Sequence, residues 1–413
     1  MLACATPAFA QTQPPQAGAD PQQIREELDR LRRELDAIRD AYGARLAALE
    51  AKLGGTTPAA APVPAAVTPV ETPPQAAPTA SLPSYNPSAL SKIFNPDMAV
   101  IGNFLGAAGK NTVDPRSSLR LDEAEVTFQA VVDPYARADF FMAFTPEGVE
   151  IEEGFITLTS LPGGLLAKVG KMKEQFGKVN TLHPHSLPWA DQFLAMTNLL
   201  GGDEGINDSG VSVSKLLPNP LFFLEATGEM FEGTSGPFES HERSDVSWVG
   251  RLRGYRDLTE GTNLDIGTSF ASGHNETGPD NRTRLFGVDA TFRYRPLRRA
   301  IYKRFLARTE LFWSRREQPL ALGGHQSAFG YYLEGDYQFA RRWFSGIRLD
   351  RSDRAYDSAL TDKGVSGVLT FWPSEFSQVR GQYRRTRYGD GPVANELLFQ
   401  LLFSIGAHGA HVF

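Results

Sequence analysis

Asn395-Glu-Leu-Leu-Phe-Gln-Leu-Leu-Phe-Ser-Ile-Gly-Ala-His-Gly-Ala-His-Val-Phe413 is the stretch on which the fold turns. Taken two residues at a time, Leu397, Phe399, Leu401, Phe403, Ile405, Ala407 and Gly409 fall on one side and lead to Phe413, whereas Glu396, Gln400, Ser404 and His408 fall on the other. A period of two is a strand. The stretch has no proline, and so long an apolar face on a free sheet edge in water would template aggregation. Closing a barrel in lipid removes the edge and gives that face a solvent. An inner strand of a soluble sandwich is the competing reading.

The same alternation recurs upstream. Ala124, Val126, Phe128, Ala130 and Val132 oppose Glu123, Glu125, Thr127 and Gln129; Phe305, Ala307, Leu311 and Trp313 oppose Arg308, Glu310 and Ser314. Sixteen such segments are counted, near 97–105, 118–132, 135–145, 149–160, 165–172, 206–217, 221–231, 245–255, 262–272, 283–295, 304–315, 328–340, 342–351, 363–372, 376–387 and 394–413. Tight turns such as Asp133-Pro134, Leu161-Pro-Gly-Gly164 and Pro218-Asn-Pro220 alternate with mostly long connections, Pro146 to Gly148 being a short exception. Short periplasmic turns and long outer loops are the outer-membrane arrangement. Trp313, Trp343, Phe344, Phe371, Trp372 and Phe376 lie near segment ends, where aromatic girdles are built. The expected fold is all-β, a 16-stranded antiparallel transmembrane β-barrel over 94–413. Sixteen strands leave an aqueous channel.

Composition excludes other classes. A net charge of −6 with 22% charged residues describes neither a nucleic-acid binder nor an acidic disordered tail. No apolar run approaches the ~18 residues that a spanning helix needs. Residues 1–10, ending in Ala8-Phe-Ala10, have the form of a signal-peptide remnant, with which Cys4 would leave. In 21–53, Ile24, Leu28, Leu31, Leu35, Ile38 and Tyr42 form a heptad seam continued by Leu46, Leu49 and Leu53 after an extra step of four. Leu at a with Ile at d favours three or four helices over two. A single amphipathic helix lying on the barrel is the alternative. Residues 54–90, rich in Ala, Pro and Thr, read as a semi-rigid linker.

The longest connection runs from about Lys173 to Glu204 and contains Asn180-Thr-Leu-His183-Pro-His185-Ser-Leu-Pro-Trp189-Ala-Asp191. Two imidazoles and a carboxylate are suitable ligand types for zinc or copper, so His183 and His185 are candidate metal ligands, although the spacing is no specific zinc signature. The alternative is a set of polar residues pinning the loop to the wall, with no cofactor at all. Inward-facing charges are expected at Arg251, Arg253, Arg293, Arg308, Arg348, Arg380 and Arg384, and at Glu310, Glu334 and Asp336. Such a mixture reads as paired charges with a transverse field rather than a ring of one sign. No nucleophile elbow, zinc-protease helix or phosphate loop is present, so the chain does not read as an enzyme.

The order of signal, coiled coil, Ala/Pro linker and barrel resembles the phosphate-selective porin family. Phe94-Asn-Pro-Asp-Met-Ala-Val-Ile101, Val149-Glu-Ile-Glu-Glu-Gly-Phe-Ile156 and His183-Pro-His185 are similar to a group of outer-membrane proteins, some described as zinc-regulated. The terminal Phe413 resembles the aromatic that ends the closing strand of such barrels and is read by their assembly machinery. The resemblance implies a homotrimer in the outer membrane, in contact with lipid and lipopolysaccharide, with its coiled coil in the periplasm. It also implies that the third outer loop narrows the channel, which would put Asn180, His183, His185, Trp189 and Asp191 at a constriction. No lysine ladder supports phosphate as the solute. The function expected is passive diffusion of small hydrophilic solutes, anionic ones among them. The alternatives are a zinc-linked uptake protein and an envelope tether reaching the cell wall through 21–53.

Overall fold

The computed structural model describes residues 96–202 and 204–406. The expected leader remnant, coiled coil, linker and terminal stretch to Phe413 lie outside the described residues. Sixteen strands form one closed sheet. They are β1 (Asp97–Lys110), β2 (Leu119–Asp133), β3 (Ala136–Thr145), β4 (Gly148–Leu161), β5 (Leu165–Lys173) and β6 (Asn207–Leu216). Next come β7 (Phe223–Phe231), β8 (Ser247–Thr259), β9 (Thr262–Asn275), β10 (Gly278–Tyr294) and β11 (Arg304–Glu317). The circuit ends with β12 (His325–Ala340), β13 (Trp343–Arg354), β14 (Asp357–Ser374), β15 (Ser377–Arg387) and β16 (Val393–Gly406). Each strand pairs antiparallel with its sequence neighbours, and β1 pairs with β16 from Ala99↔Gly406 to Lys110↔Asn395.

The period of two sets which residues meet lipid. On β16, Leu397 and Ile405 are 61% and 63% exposed, while the alternating Glu396, Leu398, Gln400 and Leu402 are buried inside. With a closed ladder that leaves no free sheet edge and an apolar outer surface, the barrel suits a bilayer rather than water. Among the described residues no helix is long and apolar enough to cross a membrane.

Two features depart from the sequence expectation. The connections between β9 and β10 and between β13 and β14 are only two residues, 276–277 and 355–356, because both hairpins run several residues past the expected strand ends. Beyond the lipid the outer face no longer needs apolar side chains, so the alternation fades while the hydrogen-bonded ladder continues. Phe344 and Trp372 also do not join an outer girdle: they line a cavity inside the barrel, and Arg304 lies over the Phe344 ring at 5.4 Å. Trp343 and Phe371, one residue out of phase with them, face outward and pack at 4.5 Å.

Candidate functional site

Lys173 and Asn207 still pair across β5 and β6, and the chain between them turns into the barrel. Its backbone is caught step by step by wall side chains. The N–H of Gln175 donates to Glu229 (2.8 Å), that of Gly177 to Ser269 (3.0 Å), and those of Lys178 and Val179 to Glu310 (2.8 and 2.9 Å). Gly177 is required at φ 65°, since a Cβ there would fall 2.2 Å from the Glu310 carboxylate. Asn180 then closes the neck, donating to the carbonyls of Glu174 (2.8 Å) and Ile206 (2.9 Å) and accepting from the Ile206 N–H (2.8 Å).

Asp191 anchors the far side. Its carboxylate accepts from both terminal nitrogens of Arg348 (3.0 and 2.8 Å), from Arg384 (2.9 Å) and from Gln382 (2.5 Å). Burial opposes this charge, but the two guanidinium groups hold the carboxyl well below its usual range. Trp189, fully buried, donates its indole N–H to Glu334, and Arg348 lies 4.9 Å from the rings of both Trp189 and Phe193. A short helix α1 (Leu194–Leu199) follows, with the Leu194 N–H on Asp350 (3.3 Å) and Asn198 on Asp362 (3.0 Å).

His183 and His185 face the opposite wall. His183 Nδ1 lies 2.8 Å from Glu152 and 3.1 Å from Glu125, and its Nε2 lies 2.8 Å from Glu153. Burial disfavours the charged ring, yet hydrogen bonds to Glu125, Glu152 and Glu153 outweigh it and hold the imidazole protonated well above its ordinary range. His185 stacks on His183 at 5.6 Å, with its Nδ1 3.6 Å from Glu125 and 3.8 Å from Glu123. A bulge brings Glu152 inward beside Glu153, and a second one lies next to Glu123, which faces inward with Glu125 by plain alternation. Across β3 the register passes from Phe141↔Glu153 to Met142↔Ile151, leaving Glu152 as the extra residue; across β1 it passes from Asn103↔Glu123 to Phe104↔Leu121, leaving Asp122. A bulge re-aims a side chain, and both Glu152 and Glu153 are buried inside.

All five residues expected at a constriction are therefore buried, none more than 9% exposed. His183, Trp189 and Asp191 tie the loop to wall residues, whereas Asn180 bonds within the loop itself. The inward wall charges pair in the same way: Arg251 with Asp289 (2.8 Å), Arg253 with Asp265 (2.8 Å), Arg308 with Glu334 (3.3 Å) and Arg384 with Glu396 (2.6 Å). Glu310 additionally accepts from the Tyr332 hydroxyl (2.6 Å).

Below the loop, toward the end bearing the 295–303 and 341–342 turns, lies a cavity of about 580 Å³. Lys178, Arg253, Arg293, Arg295, Arg304, Arg308 and Arg380 line it, against the single carboxylate of Asp336. Four of these cations are paired with acids just outside the cavity lining, Lys178, Arg253 and Arg293 with Asp265 and Arg308 with Glu334, so the excess of positive charge rests on Arg295, Arg304 and Arg380. Burial and the adjacent Arg293 bring the Lys178 ammonium down to about 8. Arg380 reaches across to Gln400 (2.5 Å), which in turn donates to Asn103 (3.0 Å), forming a polar strut beside the loop.

One part of the site is apolar. Val249, Ala271, Leu285, Ser314 and Ala328 are successive cross-strand partners on β8 to β12, forming an almost dry row inside the barrel. Phe312 and Tyr332 extend this dry wall, and Phe176, Phe193, Met196 and Leu199 of the loop belong to the same buried cluster. Gly330 makes room, since a Cβ there would come within 3.0 Å of Ala195 and Leu199. The available signal was the break in alternation at Leu311-Phe312-Trp313 and Tyr331-Tyr332-Leu333, where both faces are apolar.

No family model matches the chain. An uncharacterized protein of Aquifex aeolicus (strain VF5) is 29% identical over 343 residues, covering 73% of this chain and 71% of its own. Among solved structures, the anion-selective porin from Comamonas acidovorans aligns with a TM-score of 0.54 at 11% identity, over 75% of this chain and 99% of its own. OprB of Pseudomonas putida aligns at 0.54 and 9%, over 76% and 95%. The trimer form of OmpT of Vibrio cholerae aligns at 0.50 and 10%, over 75% and 99%. The fold is that of outer-membrane porins. At these identities the likeness concerns the barrel, and the buried loop contacts are read from this chain alone.

Proposed function

We propose that this protein is a homotrimeric outer-membrane channel for passive diffusion of small anionic solutes, with the inner loop dividing the lumen. The observation that carries the reading is the cavity beneath the loop, whose lining holds seven cationic side chains and one carboxylate, with Asp265 and Glu334 just outside it pairing four of the seven. Clustered charge of one sign raises the local concentration of the opposite ion. The Comamonas neighbour is itself described as anion-selective, and the OmpT neighbour as a trimer.

The test is the reversal potential of the purified full chain in a planar bilayer under a potassium chloride gradient. Chloride should pass several-fold faster than potassium, and Arg295→Glu with Arg304→Glu should abolish or invert that preference. Because Lys178 loses its proton near pH 8, chloride preference should weaken between about pH 7 and 9 in the native chain and stay flat in Lys178→Met. A cation preference in the native chain overturns the reading, and absence of conductance leaves the tether through 21–53 in its place. For the assembly, Leu31→Asp with Leu35→Asp puts charge into the heptad seam. Light scattering in detergent should then report monomers; an unchanged trimer would assign assembly to the barrel walls.

A further inference from the structure

The group of side chains left without a role in conduction is the one around His183 and His185. Glu123, Glu125, Glu152 and Glu153 meet the two imidazoles from β2 and β4, and all six residues are 9% exposed or less. Two overlapping sets have ligand atoms mutually within 4.8 Å: Glu125, Glu152 and His183 in one, Glu123, Glu125 and His185 in the other. Glu125 belongs to both. We infer that the loop and the β2–β4 wall form a paired site for two divalent first-row cations, zinc being the natural probe, with the Glu125 carboxylate shared between them.

Three observations carry this. The first is geometric. Ligands about 2.0–2.2 Å from a tetrahedral ion sit roughly 3.3–3.6 Å from one another. The distances from the imidazole Nδ1 atoms to the Glu123, Glu125 and Glu152 oxygens, 2.8 to 3.8 Å, bracket that value. The second is the outer support. Glu153 takes the other ring nitrogen of His183 at 2.8 Å and itself accepts the Lys173 N–H at 3.1 Å. That is how a carboxylate fixes a metal-binding imidazole, leaving the opposite nitrogen toward the ion. Thr127 likewise donates to Glu125 at 3.1 Å.

The third is charge. Even with both rings protonated, the four carboxylates outnumber the cationic rings two to one in a buried place, and buried charge is costly unless it is compensated. Within this cluster Glu123 Oε1 is buried with no hydrogen bond, its nearest imidazole nitrogen 3.8 Å away, and Glu125 Oε2 sits between the Nδ1 atoms of both rings, at 3.1 and 3.6 Å. Two divalent ions with neutral imidazoles balance four carboxylates. The bulge at Glu152 is the backbone device that brings it in beside Glu153, opposite Glu123 and Glu125, which face inward by plain alternation. Pro184, between the two histidines in sequence, lines a neighbouring cavity of about 140 Å³ that also reaches Asp114 of the connection 111–118, whereas none of the six site residues lines it. The enclosed ligands make the site structural: ions bound there staple the first half of the inner loop to the wall.

The experiment is metal analysis and thermal unfolding of the full chain in detergent, stripped with chelator and then dialysed against micromolar zinc. The native chain should retain about two zinc ions and unfold at a higher temperature than the stripped protein. Glu123→Gln and Glu152→Gln should each retain one, and Glu125→Gln neither. Magnesium should not substitute, since imidazole ligands favour softer ions. A native chain that returns from dialysis without zinc overturns the proposal, whatever the variants do. A single ion lost equally in Glu123→Gln and Glu152→Gln overturns the paired arrangement. Neither readout depends on conductance, so failure here leaves the channel reading standing, and the converse holds.

Discussion

Asp191→Ala is expected to detach the inner loop from the far wall and raise single-channel conductance several-fold. The carboxylate joins Arg348 and Arg384, which come from β13 and β15, and also accepts from Gln382. Removing it leaves two guanidinium groups buried, with Asp350 beside Arg348, and Glu396 and Asp114 beside Arg384, as their remaining acidic partners. Breaking a buried ion pair from one side costs about 3–5 kcal/mol. A docked loop held by interactions of that size would spend much of its time displaced. The companion measurement is limited proteolysis between Lys178 and Asn198, which should become cleavable in the variant while the barrel remains heat-modifiable on gels. Native conductance together with a protease-resistant loop would mean that the apolar contacts suffice for docking. Asp191→Asn, which keeps the shape and part of the hydrogen bonding, should fall between the two.

Excising the loop altogether should have the larger effect on the pore and a small one on the barrel. Lys173 and Asn207 are paired residues of a continuous hairpin, so an Asn-Gly turn can replace residues 174–206 without disturbing register. All sixteen strand pairings are retained, and the excised chain should stay folded in detergent. Its conductance should jump severalfold, because the polypeptide crossing the lumen is gone. It should also bind apolar dyes inside, since Val249, Ala271, Leu285, Phe312 and Tyr332 lose the side chains that cover them. Unchanged conductance in this variant would remove the loop from any account of permeation and leave it as a brace.

The strands were legible because lipid on one side and polar groups on the other impose a period of two, and a one-residue slip would reverse every side chain. The strand ends beyond the lipid were not legible. Asn275 and Arg354 end ladders that carry no apolar alternation, so nothing in their composition separates strand from loop. The inner loop announced itself by length and by His183-Pro-His185, but its partners did not. Glu152 and Glu153 look like one inward and one outward residue of an ordinary strand, and only the bulge opposite Phe141 and Met142 turns both inside. Asp191 finds Arg384 across 193 positions, a contact that no local pattern encodes. Lumen charge was readable as a balanced mixture of pairs, whereas the gathering of Arg295, Arg304 and Arg380 at one cavity depends on where the loop lies.

The seam between β1 and β16 gives the loop's position a meaning for assembly. On one side of that seam His183 and His185 reach Glu125 on β2 and Glu152 on β4; on the other, Asp191 reaches Arg384 on β15. The first group of contacts can form as soon as the early hairpins exist, but the second waits for the last strands to be made and brought round. Contacts so distant in sequence form late, after their loop-closure entropy has been met. Docking of the loop is therefore complete only once β15 supplies Arg384 and Gln382, and a barrel lacking its last strands would hold the loop by fewer anchors over the dry row on β8 to β12. A barrel stalled with its seam open would be marked, to any chaperone that binds apolar surface, by its own unfinished interior.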